Sequence, residues 1–248
     1  MARHPLALIG ALVLLPCALA QSIGLREEGG APAEESWARA RELMVASQIR
    51  GRGVVSPRVL AAMLSVPRHL FVPKDQRDSS YEDRPLPIGY GQTISQPYIV
   101  AYMTELLDLK STDKVLEVGT GSGYQAAVLA ELAGSVYSIE IVAELAARAR
   151  EALEAGGYTS VELRTADGYY GWEEKAPFDA IIVTAAADHV PPPLVAQLKP
   201  GGRMVIPIGA PWEVQALVLL TKDEAGNIES RRTLAVRFVP FTGRAAGP

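Results

Sequence analysis

The chain has 248 residues, a formal net charge of −4 at pH 7 and 48% apolar residues. This length and composition are typical of a soluble globular protein with enough residues for a sizeable core. The mild acidity argues against a nucleic-acid-binding protein, which needs a basic face, and no run of like charge indicates a polyelectrolyte tail.

The first residues have the three-part pattern of a secretory signal peptide. Arg3 and His4 precede an apolar run over 6–15, and Ala18-Leu19-Ala20 offers a small-x-small cleavage site. The run is too short for a comfortable membrane span, and the alternative is a buried N-terminal helix. We therefore expect an exported, periplasmic protein with no membrane attachment after processing. The predicted segments are a signal peptide over 1–20, a flexible tether over 21–35 and one folded domain over 36–248.

Cysteine and histidine are scarce. The only cysteine, Cys17, lies inside the predicted signal peptide, so the mature chain would have no disulfide, thiol nucleophile or thiolate metal site. After processing, His69 and His189 would be the only histidines, which is too few for a three-histidine zinc site. We predict no metal site and expect both histidines to be structural or surface residues.

Helical patterns dominate the next part of the chain. Residues 37–49 are predicted to form a helix that ends at Gly51 and Gly53, and Ser56-Pro57 predicts the cap and first position of a second helix. The stretch "RPLPIGYGQTISQPYIV" follows, rich in glycine, proline and small polar residues, and leads into a predicted helix over 98–107. A loop of this composition is a candidate ligand-binding segment.

From Lys114 onward short strands alternate with helices. This alternation predicts a parallel sheet with helices on both of its faces. The last two strand patterns are separated only by "EAGNIES" and predict an antiparallel hairpin. The predicted fold is an α/β, doubly wound, Rossmann-like sheet with N-terminal helices and a C-terminal antiparallel hairpin. The strand patterns are "KVLEV", "SVYSIE", "VELRTAD", "AIIVTAA", "RMVIPIG", "VQALVLLTKD" and "RRTLAVRFVPF".

The strongest local motif is "VLEVGTGSGYQ", in which a strand gives way to a glycine loop and then to a helix. Gly119, Gly121 and Gly123 permit a tight turn and let a ligand approach the helix N-terminus. The next strand ends in Glu140, nineteen residues beyond Gly121. A carboxylate at that place can accept the hydroxyls of a ribose, so the motif predicts an adenosine site.

Two classes of cofactor fit this layout. Residues 121–126 also match the dinucleotide fingerprint, which keeps an NAD(P)-dependent oxidoreductase as an alternative. However, Glu117 lies in the strand before the loop and Asp167-Gly168 ends the third strand. Acids at three successive strand ends favour a cationic nucleoside, S-adenosylmethionine, over a pyrophosphate, and we assign Glu117, Glu140 and Asp167 to its site. Taken singly, each acid could be a solvated strand end or part of a turn.

On these motifs the chain resembles the protein-L-isoaspartate O-methyltransferases, from about residue 41 to residue 243. The resemblance is carried by "PIGYGQTISQPYIVAYMTELL", "LEVGTGSGYQAAVLA", "ADGYYGWEEKAPFDAIIVTAAA" and "VPPPLVAQLKPGGRMVIPIG". It implies a seven-stranded methyltransferase that uses S-adenosylmethionine to esterify the free carboxylate of isoaspartyl residues in damaged proteins and peptides.

The resemblance also implies roles for individual residues. Thr93 and Ser95 would bind the substrate carboxylate, and Ser95 would be catalytic. The glycines from Gly119 to Gly123 would face the methionine part of the cofactor, Glu140 the ribose, and Asp167-Gly168 the adenine. The alternative for Ser95 is the N-cap of the helix that follows it.

Three further alternatives stay open at this stage. Because S-adenosylmethionine is a cytoplasmic metabolite, the chain could be cytoplasmic, as is usual for the family, or an exported protein that binds damaged peptides without catalysis. Tyr169, Tyr170 and Trp172 could border the adenine or pack against the third helix. We expect a monomer that binds isoaspartyl peptides and no nucleic acid.

Overall fold

The computed structural model describes residues 33–210 and 213–243. The predicted signal peptide and most of the predicted tether lie outside these residues. The first helix begins at Ala33, so the last three residues assigned to the tether are helical. No helix within the described ranges is long and apolar enough to cross a membrane.

The described chain begins with helices, as predicted. Helix α1 continues into a π-helical segment (Met44–Ile49) and a 3-10 turn (Arg50–Arg52), and Gly53 ends the run in the left-handed region at φ 97°. The Ser56 hydroxyl accepts a hydrogen bond from the Val59 N–H, which confirms the predicted cap of α2. The helices are α1 (Ala33–Leu43), α2 (Pro57–Ser65), α3 (Pro97–Leu107), α4 (Tyr124–Ala130), α5 (Ala143–Ala155) and α6 (Pro192–Gln197).

A seven-stranded sheet forms the centre of the domain, in the order β5-β4-β3-β6-β7-β8-β9. The first five of these are mutually parallel, and β8 and β9 pair antiparallel, which confirms the predicted doubly wound sheet and C-terminal hairpin. The strands are β3 (Lys114–Val118), β4 (Ser135–Glu140), β5 (Glu162–Thr165), β6 (Phe178–Val183), β7 (Leu198–Ile208), β8 (Gln215–Lys222) and β9 (Ile228–Val236).

The proline- and glycine-rich stretch is a small hairpin and not an open loop. Strands β1 (Leu86–Gly89) and β2 (Gln92–Ile94) pair antiparallel outside the main sheet. Tyr90, at φ 53°, lies between Gly89 and Gly91, which also have positive φ. The buried side chains Leu86, Ile88 and Ile94 attach the hairpin to the core, so its position is set by packing.

Alternate residues of the central strands pack into two apolar layers. Val115 and Ile182 belong to the larger layer, with α2, α3 and α4, while Leu116 and Ile181 belong to the layer on the other face. The strand order reverses between β3 and β6, and the carboxyl ends of β3, β4 and β6 meet there. In an open α/β sheet that crevice is the usual ligand site.

Candidate functional site

The glycine loop after β3 is held by backbone hydrogen bonds to the neighbouring strand. The N–H groups of Gly119 and Thr120 donate to the Ile139 carbonyl, at 2.8 and 3.2 Å. Gly119 has φ 98°, and a Cβ atom there would lie 2.4 Å from the Thr184 hydroxyl oxygen. That hydroxyl donates to the Gly119 carbonyl at 2.5 Å. Only glycine fits this position, because both the φ angle and the contact exclude a side chain.

Glu140 ties the same loop to the next strand. One carboxylate oxygen accepts the Gly121 N–H at 2.7 Å, and the other accepts the Val142 N–H at 2.9 Å. The side chain is only 5% exposed yet forms part of the cavity wall. A carboxylate has about four acceptor positions, so two remain for ligand hydroxyls. The predicted acid is therefore fixed in orientation before any ligand binds.

A cavity opens above the glycine loop, with about 730 Å³ of atom-free space that is partly open to solvent. Its described lining contains one acid, Glu140, and neither arginine nor lysine. We call it the glycine-loop cavity. The predicted site residues on its wall are Thr93, Ser95, Gly119, Gly121, Glu140 and Gly168.

Glu117 requires a correction. It was predicted to contact the cofactor, but it is fully buried and does not belong to the described lining of the glycine-loop cavity. The pairing of β3 with β4 sets Glu117 opposite Ser138, whose hydroxyl donates to one of its carboxylate oxygens, while the other has no partner among the described residues. Burial raises the pKa of Glu117 to about 8, so the group is largely neutral at pH 7. Thr120 bonds to Ser138 at 2.6 Å and does line the cavity, so Glu117 reaches the site only indirectly.

Two further predicted cofactor residues lie just behind the cavity wall. Asp167 caps the 3-10 turn Gly168–Tyr170 by accepting the Tyr169 N–H at 2.9 Å, and the cavity lining includes Gly168 but not Asp167. Gly123 is the N-cap residue of α4, with φ 87°, and packs against Ala149 and Leu153 of α5. Asp167 and Gly123 therefore affect the shape of the cavity wall through the residues next to them.

Ser95 lies between the hairpin and α3, and its predicted alternative role is wrong. The N-cap of α3 is Gln96, which makes no side-chain capping bond, so Ser95 does not cap the helix. Its backbone carbonyl instead accepts a hydrogen bond from the buried Arg68 guanidinium at 2.8 Å. Ser95 belongs to the lining of the glycine-loop cavity, together with Thr93.

Arg68 is a structural residue of the site that sequence reasoning missed. Its Nε donates to the Ser80 carbonyl at 2.7 Å, and its guanidinium carbon lies 4.8 Å from the centre of the Tyr124 ring, which borders the glycine-loop cavity. Burial lowers its pKa to about 10, so it stays charged at neutral pH. One buried cation therefore braces two loop carbonyls, one of them that of Ser95.

A second groove adjoins the cavity. It runs from the hairpin and the start of α3 to the end of the edge strand β9, and its described lining includes Arg52 and Arg237. We call it the arginine groove. Residues common to both linings form what we call the shared wall: Thr93, Ser95, Thr184 and Val239. Two ligands, one in each space, would therefore both lie beside the shared wall, which includes Ser95.

The remaining candidates lie outside both spaces. His69 is buried, stacks on Trp37 and bonds through Nδ1 to the Tyr81 hydroxyl at 2.8 Å, so the expected structural role is confirmed. His189 bonds to Asp188 and Tyr169 at the surface. Tyr169 and Trp172 pack in the second apolar layer and none of the three aromatic candidates lines the cavity, which favours the packing interpretation. Within the described part of the chain no group of three or more histidine, cysteine or acidic residues could hold a metal ion.

Several wall residues were not predicted. They are Thr120, Gln125, Thr184, Phe241 and Thr242. Thr184 had a usable signal, because it directly follows β6 and the carboxyl ends of parallel strands form the site. The chain turns back after β9 and brings Phe241 to the cavity. There the Phe241 N–H donates to the Ala186 carbonyl at 2.8 Å. No local pattern in the sequence indicates that return.

Comparison with known proteins gives a consistent result. A sequence model of the protein-L-isoaspartate (D-aspartate) O-methyltransferase family matches residues 39–246. Protein-L-isoaspartate O-methyltransferase 2 of Syntrophobacter fumaroxidans is 62% identical over 193 residues, 78% of each chain. Protein-L-isoaspartate O-methyltransferase 1 of Cupriavidus necator is 53% identical over 240 residues, 96% of this chain and 91% of the relative.

Solved structures agree with the sequence comparisons. A protein-L-isoaspartate O-methyltransferase structure superposes with a TM-score of 0.75 at 32% identity, covering 83% of this chain and 67% of the other. A beta-aspartate methyltransferase structure from Plasmodium falciparum, in complex with S-adenosyl-L-homocysteine, gives a TM-score of 0.71 at 27% identity, covering 82% and 98%.

Proposed function

The chain belongs to the protein-L-isoaspartate (D-aspartate) O-methyltransferase family, and from that premise we propose how its residues carry out methyl transfer. The reaction takes a methyl group from S-adenosylmethionine to the free carboxylate of an L-isoaspartyl residue, which initiates repair of the damaged protein. The observation that carries the proposal is the shared wall, because Ser95 and Thr93 line both the glycine-loop cavity and the arginine groove.

The glycine-loop cavity is suited to the methyl donor. Glu140 offers free acceptor positions for the ribose hydroxyls, and the backbone at Gly119 and Gly121 allows close approach. With one acid and no base in the described lining, the cavity matches a cationic ligand and not a pyrophosphate. Together with the family membership, this charge pattern argues against the NAD(P) alternative. The cofactor supplies an activated methyl group, which the acceptor carboxylate takes up as an ester while S-adenosylhomocysteine leaves.

The acceptor needs positioning more than activation. A carboxyl group has a reference pKa of about 4, so at neutral pH it is already an anion and needs no general base. We assign Ser95 to donate its hydroxyl hydrogen to the acceptor carboxylate and Thr93 to line the same position. Held in this way, the attacking oxygen is aligned across the shared wall and loses part of its water shell. Asp167 and Gly168 are assigned to the adenine end.

The proposal is tested by direct methyl transfer. Purified protein would be incubated with labelled S-adenosylmethionine and either an isoaspartyl peptide or the same peptide with normal aspartate. We expect label on the isoaspartyl peptide alone. Binding of the donor without transfer to either peptide would contradict the proposal and leave the non-catalytic binder as the better description.

We also propose that the protein is exported and acts as a monomer. The support is the signal-peptide pattern over 1–20 described above. We expect the full chain, expressed in a Gram-negative host, to be recovered from the periplasmic fraction. Its measured mass should match that of a chain that begins at Gln21. Retention in the cytoplasm with the intact N-terminus would contradict export. Sedimentation at several concentrations tests the monomer.

A further inference from the structure

The arginine groove has an uneven charge. Among the described residues that line it, Arg52 and Arg237 are charged and positive, and none is a carboxylate. The rest of its wall is apolar or uncharged and includes Ile99, Leu234 and Phe238. The glycine-loop cavity has the opposite sign, because its described lining holds Glu140 and no base. The two spaces therefore attract different ligands.

Arg52 is held in place by an aromatic ring and a carboxylate. Its guanidinium carbon lies 3.7 Å from the centre of the Tyr98 ring, and Nη1 pairs with Asp83 at 3.1 Å. Gln96 also donates to Asp83, at 2.7 Å. Asp83 offsets part of the Arg52 charge, but the side chain is 43% exposed and keeps donors that face solvent. This arginine is pre-ordered at little further entropic cost.

The positive charge of Arg237 is less compensated than that of Arg52. It follows directly on Val236, the last residue of β9, and it is exposed at the edge of the sheet. Within residues 33–210 and 213–243 it has no ion pair and no side-chain hydrogen bond. An exposed cation without a local counter-charge is available to a ligand in the groove, and its effect falls with ionic strength.

We propose that Arg52 and Arg237 make the arginine groove selective for isoaspartyl peptides with an acidic side chain next to the isoaspartyl residue. This inference rests on the proposed function, because it takes the groove as the site of the peptide acceptor. The acceptor carboxylate lies at Ser95, on the shared wall, and the neighbouring residues of the peptide occupy the groove beyond it. A glutamate there meets two cations, whereas a lysine is repelled.

The expected size of this preference is modest. Solvent-exposed ion pairs contribute up to about 1 kcal/mol, which is about fivefold in a rate constant. We expect kcat/KM at low salt to rank glutamate above glutamine above lysine, with about fivefold between glutamate and lysine. The ranking should weaken at high salt because both arginines are exposed to solvent.

The test uses the full chain and three isoaspartyl peptides that differ only in the neighbouring residue, on each side in turn. Arg237→Glu should remove or invert the ranking while the glutamine peptide is still methylated. Arg231→Glu is the matched control, since it makes the same charge change on β9 at an exposed residue outside the groove lining. It should keep the wild-type ranking.

The other outcomes are distinct. Equal kcat/KM for the three peptides, or a ranking that survives Arg237→Glu, would overturn the inference and leave the methyltransferase intact. An equal loss for all three peptides would mean that the arginine holds the acceptor carboxylate itself, which also overturns it. Failure of the wild-type protein to methylate any peptide would refute the proposed function on which the inference rests.

Discussion

The glycine-loop cavity is built around the carboxyl ends of parallel strands, whereas most of the arginine groove is lined by a hairpin, a helix start and the edge strand β9 with the residues that follow it. The cavity depends on backbone shape, with Gly119 and Gly121 at positive φ and a single acid already bonded to the loop. The groove depends on side chains that reach solvent. Backbone sites tolerate few substitutions, while side-chain surfaces can be altered one residue at a time.

The largest effect on turnover should come from the wall that the two spaces share. Ser95→Ala removes the hydroxyl assigned to the acceptor carboxylate, and loss of one positioning donor costs about 10²- to 10³-fold in kcat. The affinity for S-adenosylmethionine should stay near that of the wild type, as measured by calorimetry. Ser95→Thr, which retains a hydroxyl, is the control. Unchanged turnover in Ser95→Ala would show that the Ser95 hydroxyl does not position the acceptor, so that the shared wall is not where the two ligands react.

A change confined to the cavity should act on donor affinity. Gly119→Ala introduces a Cβ that would lie 2.4 Å from the Thr184 hydroxyl, at a φ of 98°. Backbone strain and the displaced loop should weaken S-adenosylmethionine binding by about a hundredfold. Gly157→Ala has a comparable φ of 84° with nothing within 4 Å of the new atom, and it should bind the donor normally. Equal losses in the two variants would mean that strain alone, and not the shape of the cavity, is responsible.

A substitution of Arg68 tests whether this buried side chain keeps Ser95 of the shared wall in position. Arg68→Lys cannot bridge the Ser80 and Ser95 carbonyls, and we expect about a tenfold lower kcat with little change in KM. Arg58→Lys is a matched control, because Arg58 also bridges two carbonyls, those of Leu109 and Leu132, away from the site. Both variants should lose thermal stability. Only Arg68→Lys should lose kcat, and an equal kcat loss in both would make Arg68 merely structural.

The remaining expected effect concerns stability rather than activity, and it is the pH dependence of unfolding at Glu117. Because its pKa is about 8 in the folded protein and about 4.5 when unfolded, the folded state binds the extra proton between these values. Its contribution to stability is therefore greatest below pH 4.5 and is lost as the pH rises to 8, by up to about 1.4 kcal/mol per pH unit.

Replacing Glu117 should remove this dependence. Glu117→Gln should gain stability over the wild type as the pH rises from 5 to 8, as measured by urea unfolding at each pH. The exposed residue Glu151, changed to glutamine, is the control and should follow the wild type. Parallel wild-type and Glu117→Gln profiles would mean that the buried carboxyl is already ionised at neutral pH.

The two spaces also differ in how far the sequence predicted them. Gly119, Gly121 and Glu140, predicted to bind the cofactor, do lie on the cavity wall, because a strand end, a glycine loop and an acid lie close together in the chain, and their contact with the cofactor stays a prediction. Glu117 was placed wrongly, since the pattern does not reveal that the β3–β4 register turns it towards Ser138. Proximity along the chain was not enough to fix the direction of a side chain.

The arginine groove could not be predicted. Arg52 and Arg237 are separated by most of the domain, and only the completed sheet brings the end of β9 beside the 3-10 turn that contains Arg52. Ser95 was located by the family resemblance, but its alternative role as a helix cap failed because α3 begins one residue later than a Ser95 cap requires. Long-range pairing, and not local propensity, determined where the arginine groove lies and where α3 begins.

The position of β9 at the outer edge of the sheet has an evolutionary consequence. An edge strand has one free side, so its outermost residues can be exchanged without re-registering a neighbour, unlike those of β3 or β4. Selection could therefore change which damaged peptides are favoured through residues at the end of this strand, such as Arg237 directly after it, while the inner strands keep the donor site unchanged. Relatives with the same cavity would then diverge first in the population of aged proteins that they repair.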